Sequence, residues 1–574
     1  MTIPGVSAIS TYRREWLPKD IVAGIVLAGL LVPSGMAYAE LAGLPAITGL
    51  YTTILCLLGY AVFGPSRVLV LGPDSALGPM IAATILPLML ADSDPARAIA
   101  LASILALMVG AFMVLGAAAR LGFIADLLSK PTQIGYMSGL ALTIVIGQLP
   151  KLFGFKVDAS GLVAEAVGFV QGVAAGETVP ASLAIGTASL VLMLVLQQWA
   201  PKVPAVLVAV VGSMIIAWAF DLAARGVALV GVLPKGLPAF TIPLVRISDV
   251  PILLAGAVGI AVVSLADTIS TSSAFAARTG QEVHANHEMI GLGAANIAAG
   301  FFQGFPVSTS GSRTAVAERA GAKSQLTGVV GAGLIMAMLV FVPGLMQYLP
   351  QPTLAAVVIV ASVSLADLPA TARLWRQRRV EFWLSFAAFA GVAFLGVLPG
   401  IVIAIALSIL DVFRRTWGPY RTELGRVDGL PGYHDVNEYP DAEQLPGLVM
   451  FRFDGQLIFA NAKTFRSEIH ELARAVPRPL WILVAAEPIT DIDTTAAEII
   501  EDLVTDLDGE GITLVFAELK DVVRNRIERY ELKWPMDPTH FYPTVGAAVN
   551  AYQARTGATF GPRPVPPEPP STAP

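Results

Sequence analysis

Two polar stretches of the sequence combine glycine, proline, hydroxyl and charged residues inside regions that are otherwise apolar. The first, residues 70–79 (VLGPDSALGP), contains Asp74, and the second, residues 304–314 (GFPVSTSGSRT), contains Arg313. Glycine and proline at these places predict interrupted helices, with half-helices that begin near residues 73–75 and 308–312. The unpaired N–H groups and positive dipole of such helix starts bind anions. The alternative is a pair of plain loops, but the many small hydroxyl residues ahead of Arg313 favour half-helices.

Acidic residues in apolar segments are the next chemical signal. Asp267 lies in the apolar stretch 262–271, and Thr271 follows one helical turn later on the same face. A carboxylate there is costly and rare unless it is functional. It can carry a proton, or, together with the hydroxyl, hold Na⁺. Asp74 would repel an anion when ionised, so it is either protonated when the anion binds or it only caps the half-helix.

The composition limits which elements can position these residues. The chain has 574 residues, of which 14% are charged and 55% hydrophobic, and its mean hydropathy is +0.69. Soluble domains carry about 25% charged residues, so an ordinary soluble protein is excluded. A net charge of −6 argues against nucleic acid as a partner, and a single cysteine excludes an intramolecular disulfide and a cysteine-based metal site. No P-loop, nucleophile–base pattern or metal-ligand spacing is present, which predicts neither an enzyme nor a cofactor or metal.

The apolar runs predict an α-helical polytopic membrane protein with about fourteen spans. Each interrupted segment is third in its own run of seven, which indicates two inverted repeats with a binding site at the membrane midplane. The predicted centres are residues 33, 57, 82, 107, 137, 190, 212, 262, 293, 315, 337, 360, 388 and 406.

Lysine and arginine favour the loops after even-numbered spans, notably the cluster Arg373, Arg376, Arg378 and Arg379. The positive-inside rule therefore predicts cytoplasmic N- and C-termini in the inner (plasma) membrane.

The sequence divides into four predicted regions. Residues 1–19 form a cytoplasmic N-terminal segment and residues 20–418 a transmembrane domain, with repeats at about 20–222 and 249–418. Residues 436–556 alternate strand and helix patterns, which is typical of a small α/β domain. Residues 557–574 are proline-rich and are predicted to be a disordered tail.

Several motifs resemble those of the SulP anion transporter family, which includes bacterial sulfate permeases and animal anion exchangers. They are residues 31–39 (LVPSGMAYA), 49–51 (GLY), 71–73 (LGP), 286–300 and 312–314 (SRT), and residues 491–497 (DIDTTAA) resemble the STAS domain that closes such transporters. The resemblance covers nearly the whole chain. It implies two inverted repeats of seven spans, a core and a gate domain, a homodimer, and transport by an elevator movement of the core.

The resemblance also implies a set of site residues. The anion site falls on Ser34, Tyr38, Asp74, Thr309, Ser310, Gly311, Ser312 and Arg313, and the coupling-ion position falls on Asp267 with Thr271. With acids at both the Asp74 and the Asp267 positions, the chain resembles coupled importers such as the sulfate permeases more than passive exchangers. In the STAS region, Thr494 matches the residue that stand-alone relatives phosphorylate. The alternative there is that Asp493 or Thr494 simply caps a helix.

These features predict a secondary active importer that couples an inward proton gradient to uptake of an oxyanion, most simply sulfate, across the lipid bilayer. Sodium coupling, bicarbonate or a dicarboxylate as substrate, and an uncoupled exchanger or channel remain alternatives. A nucleobase permease is disfavoured by Arg313 and the STAS region. A further possibility is that the STAS domain recruits a cytoplasmic protein.

Overall fold

A computed structural model describes residues 12–89, 94–123, 128–157, 159, 161–200, 203–279, 282–530 and 539–562. The chain divides into two compact units, Met1–Ser408 and Ile409–Pro574.

The first unit is helical and begins with seven of the fourteen predicted spans. Its first half contains α1 (Leu17–Leu41), α2 (Ala46–Phe63), strand β1 (Leu71–Gly72), α3 (Gly78–Ile85), α4 (Pro95–Ala118), α5 (Lys130–Phe153), α6 (Leu162–Ala174), α7 (Pro180–Trp199) and α8 (Ala205–Ala219). The predicted spans correspond to these helices except α6, a short helix between the fifth and sixth spans that the sequence reasoning missed.

The second half repeats this pattern. It contains α9 (Val250–Thr279), α10 (Ala285–Phe301), strand β2 (Ser308–Thr309), α11 (Gly311–Arg319), α12 (Leu326–Phe341), α13 (Gln351–Val363), α14 (Leu368–Gln377), α15 (Arg379–Ala390) and α16 (Val397–Trp417). All fourteen predicted centres lie inside helices, which confirms the two inverted seven-helix repeats. Helix α14 is the additional, short element of this half. Among the described residues, eight helical segments are long and apolar enough to cross a membrane by length and composition.

Glycines allow the helices of the two halves to approach closely. Helices α4 and α10 meet at Gly110 and Gly293: a Cβ added to Gly110 would lie 2.8 Å from the Gly293 carbonyl oxygen, and one added to Gly293 would lie 3.0 Å from the Gly110 oxygen. Membrane helices associate through such small residues because lipid supplies no hydrophobic drive between them. This contact holds α4 of the first half against α10 of the second.

The second unit contains a six-stranded sheet. Its strands are β3 (Tyr420–Gly425), β4 (His434–Asp435), β5 (Leu448–Asp454), β6 (Trp481–Ala485), β7 (Thr513–Ala517) and β8 (Phe541–Tyr542), and its helices are α17 (Ala462–Ala473), α18 (Thr494–Gly509), α19 (Asp521–Arg529) and α20 (Val545–Thr556). The strand order is β4-β3-β5-β6-β7-β8; β5 to β8 are parallel, and β3 is antiparallel to both of its neighbours.

Both ends of this domain differ from the sequence-based boundaries. The sheet begins at Tyr420, ahead of the predicted start at residue 436. Residues 557–562, the first part of the predicted disordered tail, pack on the domain: Gly561 forms a β-bridge with Gln444, and the Phe560 ring stacks on Tyr433 with the ring centroids 6.4 Å apart. Aromatic packing and main-chain pairing hold this stretch although it lies next to proline-rich sequence. The rest of the predicted tail, residues 563–574, lies outside the described residues.

Candidate functional site

The starts of the two half-helices meet at a short antiparallel pairing of β1 with β2. Leu71 pairs with Thr309 and Gly72 with Ser308, and the Ser310 N–H donates to the Val70 carbonyl oxygen at 3.1 Å. Helix α3 follows β1 and helix α11 follows β2. The two polar stretches of the sequence, residues 70–79 and 304–314, therefore meet at this strand pair in the structure. Antiparallel pairing of corresponding strands is the arrangement expected of inverted repeats.

Side chains of the second half hold the segment that leads into β1. The Gln325 Nε2 group donates to the carbonyl oxygens of Ser66 and Leu69, at 2.8 and 2.9 Å. The Val70 N–H donates to the hydroxyl of Thr314 at 3.0 Å. The backbone groups of an irregular segment are thus satisfied inside the protein, as the membrane requires.

Side chains of the first half likewise form hydrogen bonds with the backbone of the segment that leads into β2. The Phe305 N–H donates to the Thr52 hydroxyl at 3.1 Å, and the Ser103 hydroxyl donates to the Gly304 carbonyl oxygen at 3.0 Å. Sequence reasoning missed Thr52, Ser103 and Gln325, which hold the site without belonging to the interrupted segments. The available signal was a set of hydroxyl and amide residues in or beside apolar helices.

Arg313 is the most unusual group at this crossing. Its side chain is only 4% exposed, and its Nη2 lies 3.5 Å from Asp74 Oδ1. Its Cζ lies 6.0 Å from the centroid of the Tyr38 ring, and a Cβ added to Gly72 would lie 2.7 Å from Nη1. Within the described part of the chain, none of its three guanidinium nitrogens has a hydrogen-bond partner. A buried guanidinium with unused donors is suited to take an anion, because anionic oxygens form charge-assisted hydrogen bonds with it.

Asp74 has two interactions in this arrangement. Its Oδ2 accepts from the Ala76 N–H at 3.0 Å, which caps the turn ahead of α3. Its Oδ1 faces Arg313 within ion-pair distance. The geometry thus shows the predicted cap, and it adds an ion pair with Arg313 that the sequence did not predict; protonation of Asp74 on anion binding stays a prediction.

The remaining predicted anion-site residues differ in how available their donors are. Ser34 donates its hydroxyl to the Leu30 carbonyl oxygen at 2.7 Å, so that proton is already used within α1. Thr309 donates to the Thr268 hydroxyl at 3.4 Å. The hydroxyls of Ser310 and Ser312 lie 3.1 Å apart at the exposed start of α11, together with Gly311. Donors for a ligand are therefore concentrated at the start of α11.

The two predicted coupling residues lie on α9 beside this site. Asp267 interacts electrostatically with Asp74 and by a side-chain hydrogen bond with Gln133 of α5. The Thr271 hydroxyl lies 3.8 Å from the Cβ position of Gly311. Asp267 thus adjoins Asp74, and Thr271 adjoins the start of α11. Gln133 is a partner that the sequence reasoning did not identify. The described residues contain no group of three or more His, Cys, Asp or Glu side chains that could hold a metal ion.

In the second unit, Thr494 is the exposed first residue of α18. The helix is capped by Asp493, whose Oδ1 accepts from the Ala496 N–H at 2.8 Å and whose Oδ2 accepts from the Phe459 N–H at 2.7 Å. Capping is therefore performed by Asp493, and the Thr494 side chain is left on the surface.

Comparisons with known proteins agree with this architecture. Residues 17–388 match the model of the sulfate permease family, and residues 439–548 match the STAS domain. The chain is 40% identical to the probable sulfate transporter MT1781 of Mycobacterium tuberculosis, over 96% of this chain and 98% of the relative. It is 30% identical to sulfate transporter 4.1, chloroplastic, of Arabidopsis thaliana, over 91% and 78% of the two chains.

Two solved structures show the same fold. The murine Solute Carrier 26 family member A9 anion transporter, in its inward-facing state, matches with a TM-score of 0.88 at 22% identity, over 96% of this chain and 94% of that one. The transmembrane domain of the cyanobacterial bicarbonate transporter BicA matches with a TM-score of 0.60 at 20% identity, over 69% and 98%. The relatives are transporters, and this chain is a multi-pass membrane protein rather than an enzyme. It belongs to the sulfate permease family of anion transporters and carries a C-terminal STAS domain.

Proposed function

We propose that this protein is a secondary active importer that couples an inward proton gradient to the uptake of sulfate. The observation that carries the proposal is the buried Arg313 guanidinium, whose nitrogens have no hydrogen-bond partner among the described residues, at the crossing of two half-helix starts. An anion that leaves water needs donors to replace its hydration shell. Arg313, the hydroxyls of Ser310 and Ser312, and the N–H groups at the starts of α3 and α11 supply them.

The two acids of this site, Asp74 and Asp267, support the proposal of proton coupling. While Asp74 is ionised, its carboxylate lies 3.5 Å from Arg313 and competes with a bound anion for the positive charge of that side chain. A proton on Asp74, or on the neighbouring Asp267, removes negative charge from the site and strengthens anion binding. By thermodynamic reciprocity the bound anion then strengthens proton binding by the same factor, which is the requirement for symport.

The names of the relatives support sulfate as the substrate, because the probable sulfate transporter MT1781 aligns over nearly the whole chain. For movement across the membrane we propose an elevator-type shift of a core domain against a gate domain. We further propose a homodimer in the plasma membrane with cytoplasmic termini, and a STAS domain that modulates transport or binds a cytoplasmic protein, with Thr494 as its exposed site for modification.

The test is uptake of radiolabelled sulfate into proteoliposomes with an imposed pH or sodium gradient. The proposal predicts concentrative uptake with the pH gradient alone, and its loss in Asp267→Asn with sulfate exchange retained. Asp74→Asn is expected to flatten the pH dependence of sulfate binding, because one negative charge beside Arg313 is then permanently absent. Asp221→Asn is the matched control, since Asp221 is exposed and has a positive φ of 44° that asparagine tolerates.

Two results would change the assignment. If the sodium gradient drives uptake instead, the coupling ion that Asp267 and Thr271 bind is Na⁺ and not a proton. Equal transport by all variants without any gradient would identify an uncoupled exchanger. Competition by bicarbonate, dicarboxylates and chloride in the same vesicles separates the substrate alternatives.

A further inference from the structure

A basic surface lies apart from the transport site, on α14 and the turn into α15. It consists of four exposed arginines, here called the arginine surface: Arg373, Arg376, Arg378 and Arg379. Only two acidic residues, Asp367 and Glu381, lie in the same stretch of chain. Asp367 caps α14 by accepting from the Ala370 N–H at 2.8 Å, and Glu381 lies 3.3 Å from Arg378. The surface therefore keeps a net positive charge.

Helix α14 has three distinct sides. Ala370 is buried against the protein, whereas Leu368 and Trp375 are 69% and 48% exposed. Because Leu368 and Trp375 are seven residues apart, they lie on one side of the helix, and Arg373 and Arg376 occupy the remaining side. A short helix with an exposed apolar side next to a basic side is suited to lie in the membrane interface, with its apolar side toward the acyl chains.

Aromatic residues continue this apolar side onto α15. The Trp375 ring meets the Phe382 ring edge to face at 4.8 Å, and Arg379 lies over the Trp375 ring at 5.7 Å. Trp383 and Phe386 are 56% and 47% exposed along the helix that follows. Tryptophan is enriched at the level of the lipid headgroups, so this pattern places the arginine surface at that level and α15 below it in the hydrocarbon.

We propose that the arginine surface binds the headgroups of anionic phospholipids in the cytoplasmic leaflet. The inference rests on the proposed orientation, in which the loop between α13 and α15 faces the cytoplasm. Guanidinium groups form paired hydrogen bonds with phosphodiester oxygens, and the negative charge of such a leaflet complements four arginines that share their stretch of chain with two acids. Since α14 packs on α5 and α15, bound lipid anchors that part of the helical unit to the bilayer.

The test is lipid binding by the purified full-length protein, measured by native mass spectrometry during titration with phosphatidylglycerol or with phosphatidylcholine of the same acyl chains. The variant Arg373→Gln/Arg376→Gln/Arg379→Gln removes three charges and retains Arg378, which pairs with Glu381. Each basic residue near an anionic surface strengthens binding about fivefold, so the triple variant is expected to lose roughly a hundredfold in preference for phosphatidylglycerol. Arg474→Gln/Arg529→Gln/Arg555→Gln is the matched control, because it removes three exposed arginines of the STAS unit.

A third variant, with lysine at the same three positions, separates charge from folding. It is expected to keep most of the preference for phosphatidylglycerol, while size-exclusion profiles remain those of the parent. Three results would overturn the proposal: a glutamine variant that binds phosphatidylglycerol like the parent, a lysine variant that loses binding equally, or a control that loses as much as the test variant. The readout does not depend on transport, so it stands even if the protein carries no sulfate.

Discussion

At the scale of single residues, the proposed transport site contains a guanidinium that is held by shape more than by hydrogen bonds. Arg313 is enclosed by Gly72, Tyr38 and Asp74, and its donors have no partner among the described residues. Burying such a group is unfavourable unless a ligand completes its hydrogen bonds. If the proposed site binds anions, its stability and its anion affinity are linked through this one side chain.

Replacing Arg313 should separate the role of charge from that of geometry. Arg313→Gln is expected to raise the KM for sulfate at least about a hundredfold, since two charge-assisted hydrogen bonds of about 1.5 to 3 kcal/mol each are lost. Arg313→Lys keeps the positive charge but lacks the paired N–H donors of the planar guanidinium, and it should raise the KM for sulfate about tenfold. The measurement is the concentration dependence of sulfate uptake. Arg319→Gln, at the exposed end of the same helix, is the control; a parent-like KM in Arg313→Gln would remove this residue from the site.

Gly72→Ala tests whether the position of the guanidinium matters. The new Cβ would lie 2.7 Å from Arg313 Nη1, so the guanidinium must move. Because the clash is with the end of a side chain, we expect a tenfold or greater rise in the KM for sulfate with little change in thermal stability. Gly333→Ala is the control, since no atom of the described residues lies within 4 Å of its added Cβ. Unchanged transport by Gly72→Ala would show that the anion does not depend on this placement.

At the scale of elements, apolar runs and glycine–proline breaks were enough to predict the fourteen helices and the two interrupted segments. What they could not give were the contacts between distant parts of the chain. Nothing near Gln325 indicates that its amide reaches the carbonyl oxygens of Ser66 and Leu69. The proximity of Asp74 to Arg313 was likewise available only as an expectation from paired half-helices. Helices α6 and α14 are not among the predicted spans because charged residues interrupt their apolar sequence, Glu165 in α6 and Arg373 and Arg376 in α14.

Side chains of each half form hydrogen bonds with the interrupted segment of the other half, and removing one of these bonds tests their importance. Gln325→Leu leaves the Ser66 and Leu69 carbonyl oxygens without this donor, at a cost of about 1 to 3 kcal/mol for each group that stays unsatisfied. We expect a lower thermal unfolding temperature together with a raised KM for sulfate, because β1 loses its support. Gln377→Leu, on an exposed position of α14, should change neither. A lower unfolding temperature with an unchanged KM would show that the hydrogen bonds of Gln325 stabilise the fold without affecting sulfate binding.

At the scale of the whole molecule, the last membrane helix continues into the unit that contains the sheet. The C-terminal turn of α16 is tied there by Asn461, whose Nδ2 donates to the Thr416 carbonyl oxygen at 3.1 Å and to the Gln456 oxygen at 2.8 Å. The Thr416 carbonyl lies in the last turn of α16, where the helix itself offers no partner. Asn461 thus satisfies a carbonyl oxygen at the end of α16 within the second unit, which begins at Ile409.

Asn461→Ala should make the C-terminal turn of α16 open more often. With the bond to Thr416 gone, local opening costs about 1 kcal/mol less, and tryptic cleavage after Arg414 and Arg415 should be about fivefold faster. Limited proteolysis of the full-length protein followed by mass spectrometry gives the rate at each site. Asn550→Ala, on the exposed face of α20, is the control. Equal cleavage rates in both variants would mean that Asn461 does not hold the helix end.

The orientation of the whole chain decides which side of the membrane each of these surfaces faces. The chain has one cysteine, Cys56, which is buried, so a Cys56→Ala background accepts single reporter cysteines. With cytoplasmic termini, the exposed Glu177 between α6 and α7 faces outward and the exposed Asp502 of the STAS domain faces inward. A membrane-impermeant maleimide should therefore label Glu177→Cys in intact cells, and Asp502→Cys only after the membrane is opened. The reverse pattern would place the arginine surface and the STAS domain outside, and would contradict both the import direction and the lipid leaflet proposed for this protein.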